Sequence, residues 1–163
     1  IELAKELHWR KDLGFLLVGR GADMVKLHAK CLEYGLSNVL FHDEIHPDQI
    51  ADLFKQCCVG IVSLAPGHRT HNIPGKFIKY MQCGLPVLAR VNAGNDLASI
   101  VQDEAVGQVC EGDNLNELIN RTEKLLNEIE INSDDLSVRC RRLFEREYNV
   151  TATVKQIINA VRA

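Results

Sequence analysis

No two of the six cysteines form a C-x-x-C pair, which removes the usual short zinc and dithiol signatures. Cys31, Cys57, Cys58, Cys83, Cys110 and Cys140 fall mostly on apolar faces. They read as reduced core residues of a cytoplasmic protein, not as disulfides or metal ligands. A basic excess is also missing. The formal net charge is -3, so no global field argues for a nucleic-acid partner. No apolar run approaches the roughly 20 residues of a membrane span, and none has the pattern of a signal peptide. Gly19-Arg20-Gly21 follows an apolar run, but it lacks the third glycine of a dinucleotide fingerprint and an acid about 20 residues on. There is no repeat, low-complexity tract or linker. The acidic cluster of a receiver domain is absent too.

What remains is one expected domain of 163 residues, 46% apolar and 25% charged, enough for a sizeable core. Residues 1–7 read as the tail of an amphipathic helix, so the chain is expected to open inside an element, as a fragment would. Five short apolar segments read as buried parallel strands: 14–19, 38–42, 59–64, 86–90 and 106–110. Helices are expected between them, over 22–34, from Pro47, over 74–83 and within 94–101. Three helices then follow without strands. Asn114 and Glu117 open the first, and Ser133-Asp134-Asp135 cap the second. The third, 150–161, is expected to turn Val154, Ile157, Ile158 and Val161 inward. This alternation predicts an α/β doubly wound parallel sheet of about five strands, Rossmann-like, with extra C-terminal helices.

The chain is organised around HNIPGKFIKYMQCGLPV, residues 71–87. Pro74 suits the first position of a helix, where its missing N–H has no intrahelical partner. Gly75 leaves that first turn uncovered, so free N–H groups and the positive end of the helix dipole face outward. Arg69, His71 and Lys76 crowd the same place, and a diphosphate is the expected ligand. A plain helix start is the alternative reading. A lysine at a helix N-terminus is electrostatically disfavoured, which is better explained if Lys76 meets an anion. Ligands of open α/β sheets bind beyond the carboxyl ends of the strands, so the loops 19–21, 42–46, 65–76 and 90–96 should meet there. Arg20 either contacts phosphate or is solvated. Asn95 and Asp96 cap the next helix, donate to a sugar, or do both, with Asp96 as a plain cap. His42 and His46, and His68 and His71, have spacings a metal could use, but without nearby partners no metal site is expected.

The string P-G-K-F-I-K-Y-M-Q-C-G-L-P-V-L-A, followed by G-N-D-L, resembles the C-terminal domain of family 4 (group 1) glycosyltransferases of the GT-B fold. The fuller string, residues 70–97, is most similar to bacterial transferases of O-antigen and capsule assembly that move N-acetyl-L-fucosamine. The resemblance runs from the first helix to about Gly112. It implies a donor site for a UDP-sugar, bound as substrate with no cofactor, at Arg20, Gly21, Glu44, Arg69, His71, Asn72, Ile73, Pro74, Gly75, Lys76, Lys79 and Asn95. The loop carrying Glu44 would hold the base. It also implies an acceptor, a glycan or lipid-linked glycan, held by an N-terminal domain not in this chain, where the catalytic residues are expected. The full-length enzyme would be cytoplasmic, with peripheral membrane association at the inner face. The family's two glutamates, with seven residues between them, fall on His71 and Lys79 here, so the usual ribose contact is missing. Lys79, one turn from Lys76, would share its face. The family's first strand and its glycine-containing phosphate loop are also missing. The sheet is therefore expected either to carry a gap or to close into the order 2-1-3-4-5. Two other readings stay open: another GT-B enzyme such as a UDP-sugar epimerase, and a non-catalytic flavodoxin-like module.

Overall fold

The structure, a computed structural model, describes residues 1–65 and 73–162. It divides into two units, Ile1–Ile50 and Ala51–Ala163, and the strands form two separate parallel sheets. The fold is α/β with parallel strands, as expected, and among the described residues the single ladder 2-1-3-4-5 does not form.

The first unit contains α1 (Glu2–Glu6), β1 (Phe15–Val18), α2 (Met24–Glu33) and β2 (Val39–His42). β1 and β2 pair in parallel, Phe15 beside Val39. Gly35 ends α2 as the pattern predicts. Its φ of 62° lets the Gly35 and Leu36 amides turn back onto the carbonyls of Leu32 and Cys31, the paired bonds of a Schellman stop. Leu3, Ala4, Leu7 and Cys31 are the buried apolar residues here. Asn38 ties α1 to the start of β2 by donating to the Ala4 carbonyl at 2.9 Å. The two strands are not fully buried, contrary to the expectation from their continuous apolar runs. Leu16, Val18 and Leu40 are exposed. They share one face, because alternate residues of a strand point the same way, and within this unit that face is open.

α3 (Ile50–Phe54) begins on the last residue of the first unit, and the second unit carries the sheet β3 (Gly60–Ser63), β4 (Val87–Val91) and β5 (Gly107–Glu111), in that spatial order. Between the strands run α4 (Gly75–Cys83) and α5 (Asp96–Asp103). Val62, Val87, Ala89, Val91 and Val109 of the sheet bury against Phe77 and Met81 of α4, Leu97 and Val101 of α5, and Cys140 and Leu143 further on. The helical spacing of those pairs directs each side chain onto one face. Gly60 is required by packing, since a Cβ there would lie 2.5 Å from the Tyr80 ring.

After β5 the chain is helical. α6 (Leu115–Leu143) starts as predicted, with the Asn114 side chain accepting from the Glu117 amide at 3.1 Å. The expected break before Ser133–Asp135 is present: Asn132 leaves helical geometry (φ -153°, ψ 49°) and kinks α6 into two helices there. Arg139 braces the kink by pairing with Glu128 on one side, at 2.7 Å, and Asp135 on the other. A π-helical turn (Phe144–Tyr148) leads into α7 (Val150–Arg162). Here the expected burial fails: Val154, Ile157, Ile158 and Val161 are exposed. Among the described residues α7 packs on the π-helical turn, which leaves that apolar face uncovered.

Candidate functional site

The carboxyl edge of the three-stranded sheet gathers the chemistry of the second unit. α4 begins there. Pro74 sits one residue before the position the pattern suggests, as the N-cap, with an extended backbone (φ -62°, ψ 136°). Its carbonyl accepts from the Phe77 amide at 2.9 Å. Helix geometry gives the Gly75 and Lys76 amides no intrahelical acceptor. A Cβ on Gly75 would meet nothing within 4 Å among the described residues, and its φ is not left-handed. Ile73 is half-buried against the core and anchors the approach to the helix.

Lys76 is an exposed residue, yet desolvation of its ammonium lowers its pKa below the usual lysine value. Among the described residues no carboxylate pairs with it. Lys79 does not join it. Its ammonium donates to the Gln82 side chain at 2.8 Å, toward the last turn of α4 and away from the helix start. Arg69, His71 and Asn72 lie outside the described residues.

α5 starts at the same edge. Asn95, not Asp96, is its cap: the Asn95 side chain accepts from the Leu97 amide at 3.0 Å and is only 5% exposed. Asp96 is the first helical residue. The turn before it carries features that no sequence motif announces. Gly94, at φ 74°, donates its amide to Glu111 at 2.9 Å. Asn92 donates to the Ala65 carbonyl at 3.4 Å. Arg90 donates to the Gly112 carbonyl at 3.3 Å and pairs with Asp113. Only the glycines at 94 and 112, each following a strand, hinted at such turns.

In the first unit, Arg20 and Glu44 come together as an ion pair of 2.9 Å, both well exposed, so the pair contributes little to stability. Gly21 accepts from the Met24 amide at 3.1 Å as the chain turns toward α2. Among the described residues no group of three His, Cys, Asp or Glu side chains is placed to hold a metal ion, and no helix is long and apolar enough to cross a membrane.

The parallel sheets and the crossover helices define a Rossmann-like α/β fold. The family model described as "Glycosyl transferases group 1" matches residues 1–128, and the chain belongs to that family. No curated protein matches the sequence significantly. Among solved structures it is similar to WaaG, "a glycosyltransferase involved in lipopolysaccharide biosynthesis", at 19% identity and a TM-score of 0.72, covering 95% of this chain and 40% of that one. It is also similar to sucrose-phosphate synthase from Thermosynechococcus elongatus, at 22% identity and a TM-score of 0.74, over 98% of this chain and 41% of that one. The spinosyn forosaminyltransferase SpnP matches at 19% identity and a TM-score of 0.59, over 99% of this chain and 38% of that one. These likenesses are of fold: parallel α/β with C-terminal helices, as in the C-terminal Rossmann-like half of GT-B glycosyltransferases. The chain spans about two fifths of the length of the structures it matches.

Proposed function

We propose that this chain is the donor-binding part of a glycosyltransferase and that the start of α4 holds the diphosphate of a UDP-sugar. The observation that carries the reading is the pairing of Gly75 with Lys76. The glycine leaves backbone amides uncovered where no described residue would lie within 4 Å of a Cβ. Beside it stands a partly desolvated cation at the positive end of a helix, where a cation is unfavourable without an anion. In the reaction these groups stabilise the charge that develops on the departing nucleotide. The acceptor and any general base belong to residues outside this chain, so the chain alone binds nucleotide weakly and transfers nothing. The sugar we favour is N-acetyl-L-fucosamine, passed to a lipid-linked glycan of a surface polysaccharide. The string over residues 70–97 supports that choice, and the likeness to a transferase of lipopolysaccharide biosynthesis is consistent with it.

Thermal unfolding with UDP, GDP, ADP or buffer alone tests the reading. UDP at about 100 times its dissociation constant adds about 2.7 kcal/mol, a shift of roughly 5–10 °C for a chain of this size. The expected result is a shift with UDP that Lys76→Ala reduces. No shift with any nucleotide would overturn the reading.

A further inference from the structure

We infer that Glu111 is a positioning residue for the sugar nucleotide, acting through the turn at residues 92–96 and not by touching the donor. The inference rests on the donor-binding reading above. Glu111 is the last residue of β5 and is exposed. It spends a carboxylate oxygen on the Gly94 amide at 2.9 Å. That turn is held from three sides. Glu111 fixes it from β5, the buried Asn95 cap fixes it from α5, and Asn92 ties it to the Ala65 carbonyl just beyond β3. β3 and β4 are parallel neighbours in the ladder, so the turn after β4 lies at the same carboxyl edge as Ala65, just beyond β3.

Glu111 is itself supported. The Gly112 amide donates back to the Val91 carbonyl at 2.8 Å, and the Arg90 guanidinium engages Gly112 and Asp113. The fold has little need of the Glu111 bond. Gly94 sits in an exposed turn, where water satisfies an amide nearly as well. What the bond achieves is one fixed orientation of the turn, with the acidic head of Glu111 committed to an amide. Beside a site for a diphosphate, that commitment also keeps a like charge turned aside.

The test compares wild type, Glu111→Ala and Glu111→Gln by calorimetric titration with UDP, with thermal unfolding of the free proteins and amide exchange at Gly94. Glu111→Ala is expected to keep the unfolding temperature within about 3 °C, to speed exchange at Gly94, and to weaken UDP binding about five- to tenfold. Glu111→Gln, whose amide oxygen accepts the same N–H, is expected to bind within about twofold of wild type. A merely structural role would move the unfolding temperature without moving the affinity of the folded protein. If wild type binds UDP and Glu111→Ala binds it equally, the inference falls and the donor reading stands. If Glu111→Gln is as weak as Glu111→Ala, charge and not the hydrogen bond is at work, and the inference falls. If wild type binds no nucleotide, the donor reading falls and takes the inference with it.

Discussion

Gly107 and Val87 face each other across the β4–β5 ladder so closely that a Cβ on Gly107 would lie 1.9 Å from the Val87 carbonyl oxygen. Gly107 also has a φ of 156°, so both space and backbone conformation demand glycine. Gly107→Ala is expected to cost about 2–4 kcal/mol. Urea unfolding followed by circular dichroism would show it as a fall in midpoint. An unchanged midpoint would mean that the ladder spreads freely.

Gly75 is the contrasting case. With open space around its missing Cβ, Gly75→Ala is expected to leave stability unchanged or raise it by up to about 1 kcal/mol, the usual helix preference for alanine. The same change covers the uncovered turn and is expected to weaken UDP binding. Unaltered affinity would place the phosphate elsewhere.

Lys76 gives a proton signature. Its folded pKa lies below the ordinary 10.5 because of desolvation, so the unfolded chain holds more protons between the two values. Stability should therefore rise with pH through that window, and Lys76→Met should flatten the rise. A bound diphosphate acts in the opposite sense, favouring the charged amine. UDP binding just below pH 10.5 is then expected to take up protons in wild type and not in Lys76→Met, measured by calorimetry in two buffers of different ionisation enthalpy.

The cysteines should separate by accessibility. Cys58 is exposed, whereas burial pushes the Cys140 thiol up to about 12. N-ethylmaleimide on the native protein is expected to label Cys58 first and Cys140 last, read by peptide mapping. For Cys140 the protonated form is the one favoured by folding, so its contribution is lost as pH rises from the ordinary 9.0 toward 12. Early labelling of Cys140 would mean that its core opens.

Much of this architecture is written in punctuation. Gly35 and Gly84 stop their helices in left-handed conformations, and Asn114 starts α6 with its side chain. Those signals are local, so they survive in any tertiary setting. What stayed hidden depends on partners. The apolar stripe of α7 and the alternating faces of β1 and β2 promised burial, but periodicity states only which residues share a face and not what covers it. The Glu111–Gly94 and Arg90–Asp113 pairs join residues 17 and 23 positions apart, beyond the reach of any spacing rule. The start of α4 was legible, although its cap fell on Pro74, because Pro-Gly favours a helix start without fixing its first residue.

α4 is held firmly at the end opposite its proposed ligand. The left-handed Gly84 that closes it sits directly under the Ser137 hydroxyl and the Arg141 guanidinium of α6, with no room for a side chain. The helix is thus closed at Gly84 and packed into the core at Phe77 and Met81, while no described residue comes within 4 Å of a Cβ on Gly75. Its nine residues span about 13 Å at 1.5 Å each. A tilt of roughly five degrees over that length displaces one end by about 1 Å, large enough to spoil a positioned phosphate. Changes at Ser137 or Arg141, remote from any nucleotide, would then register as changes in how tightly one is held.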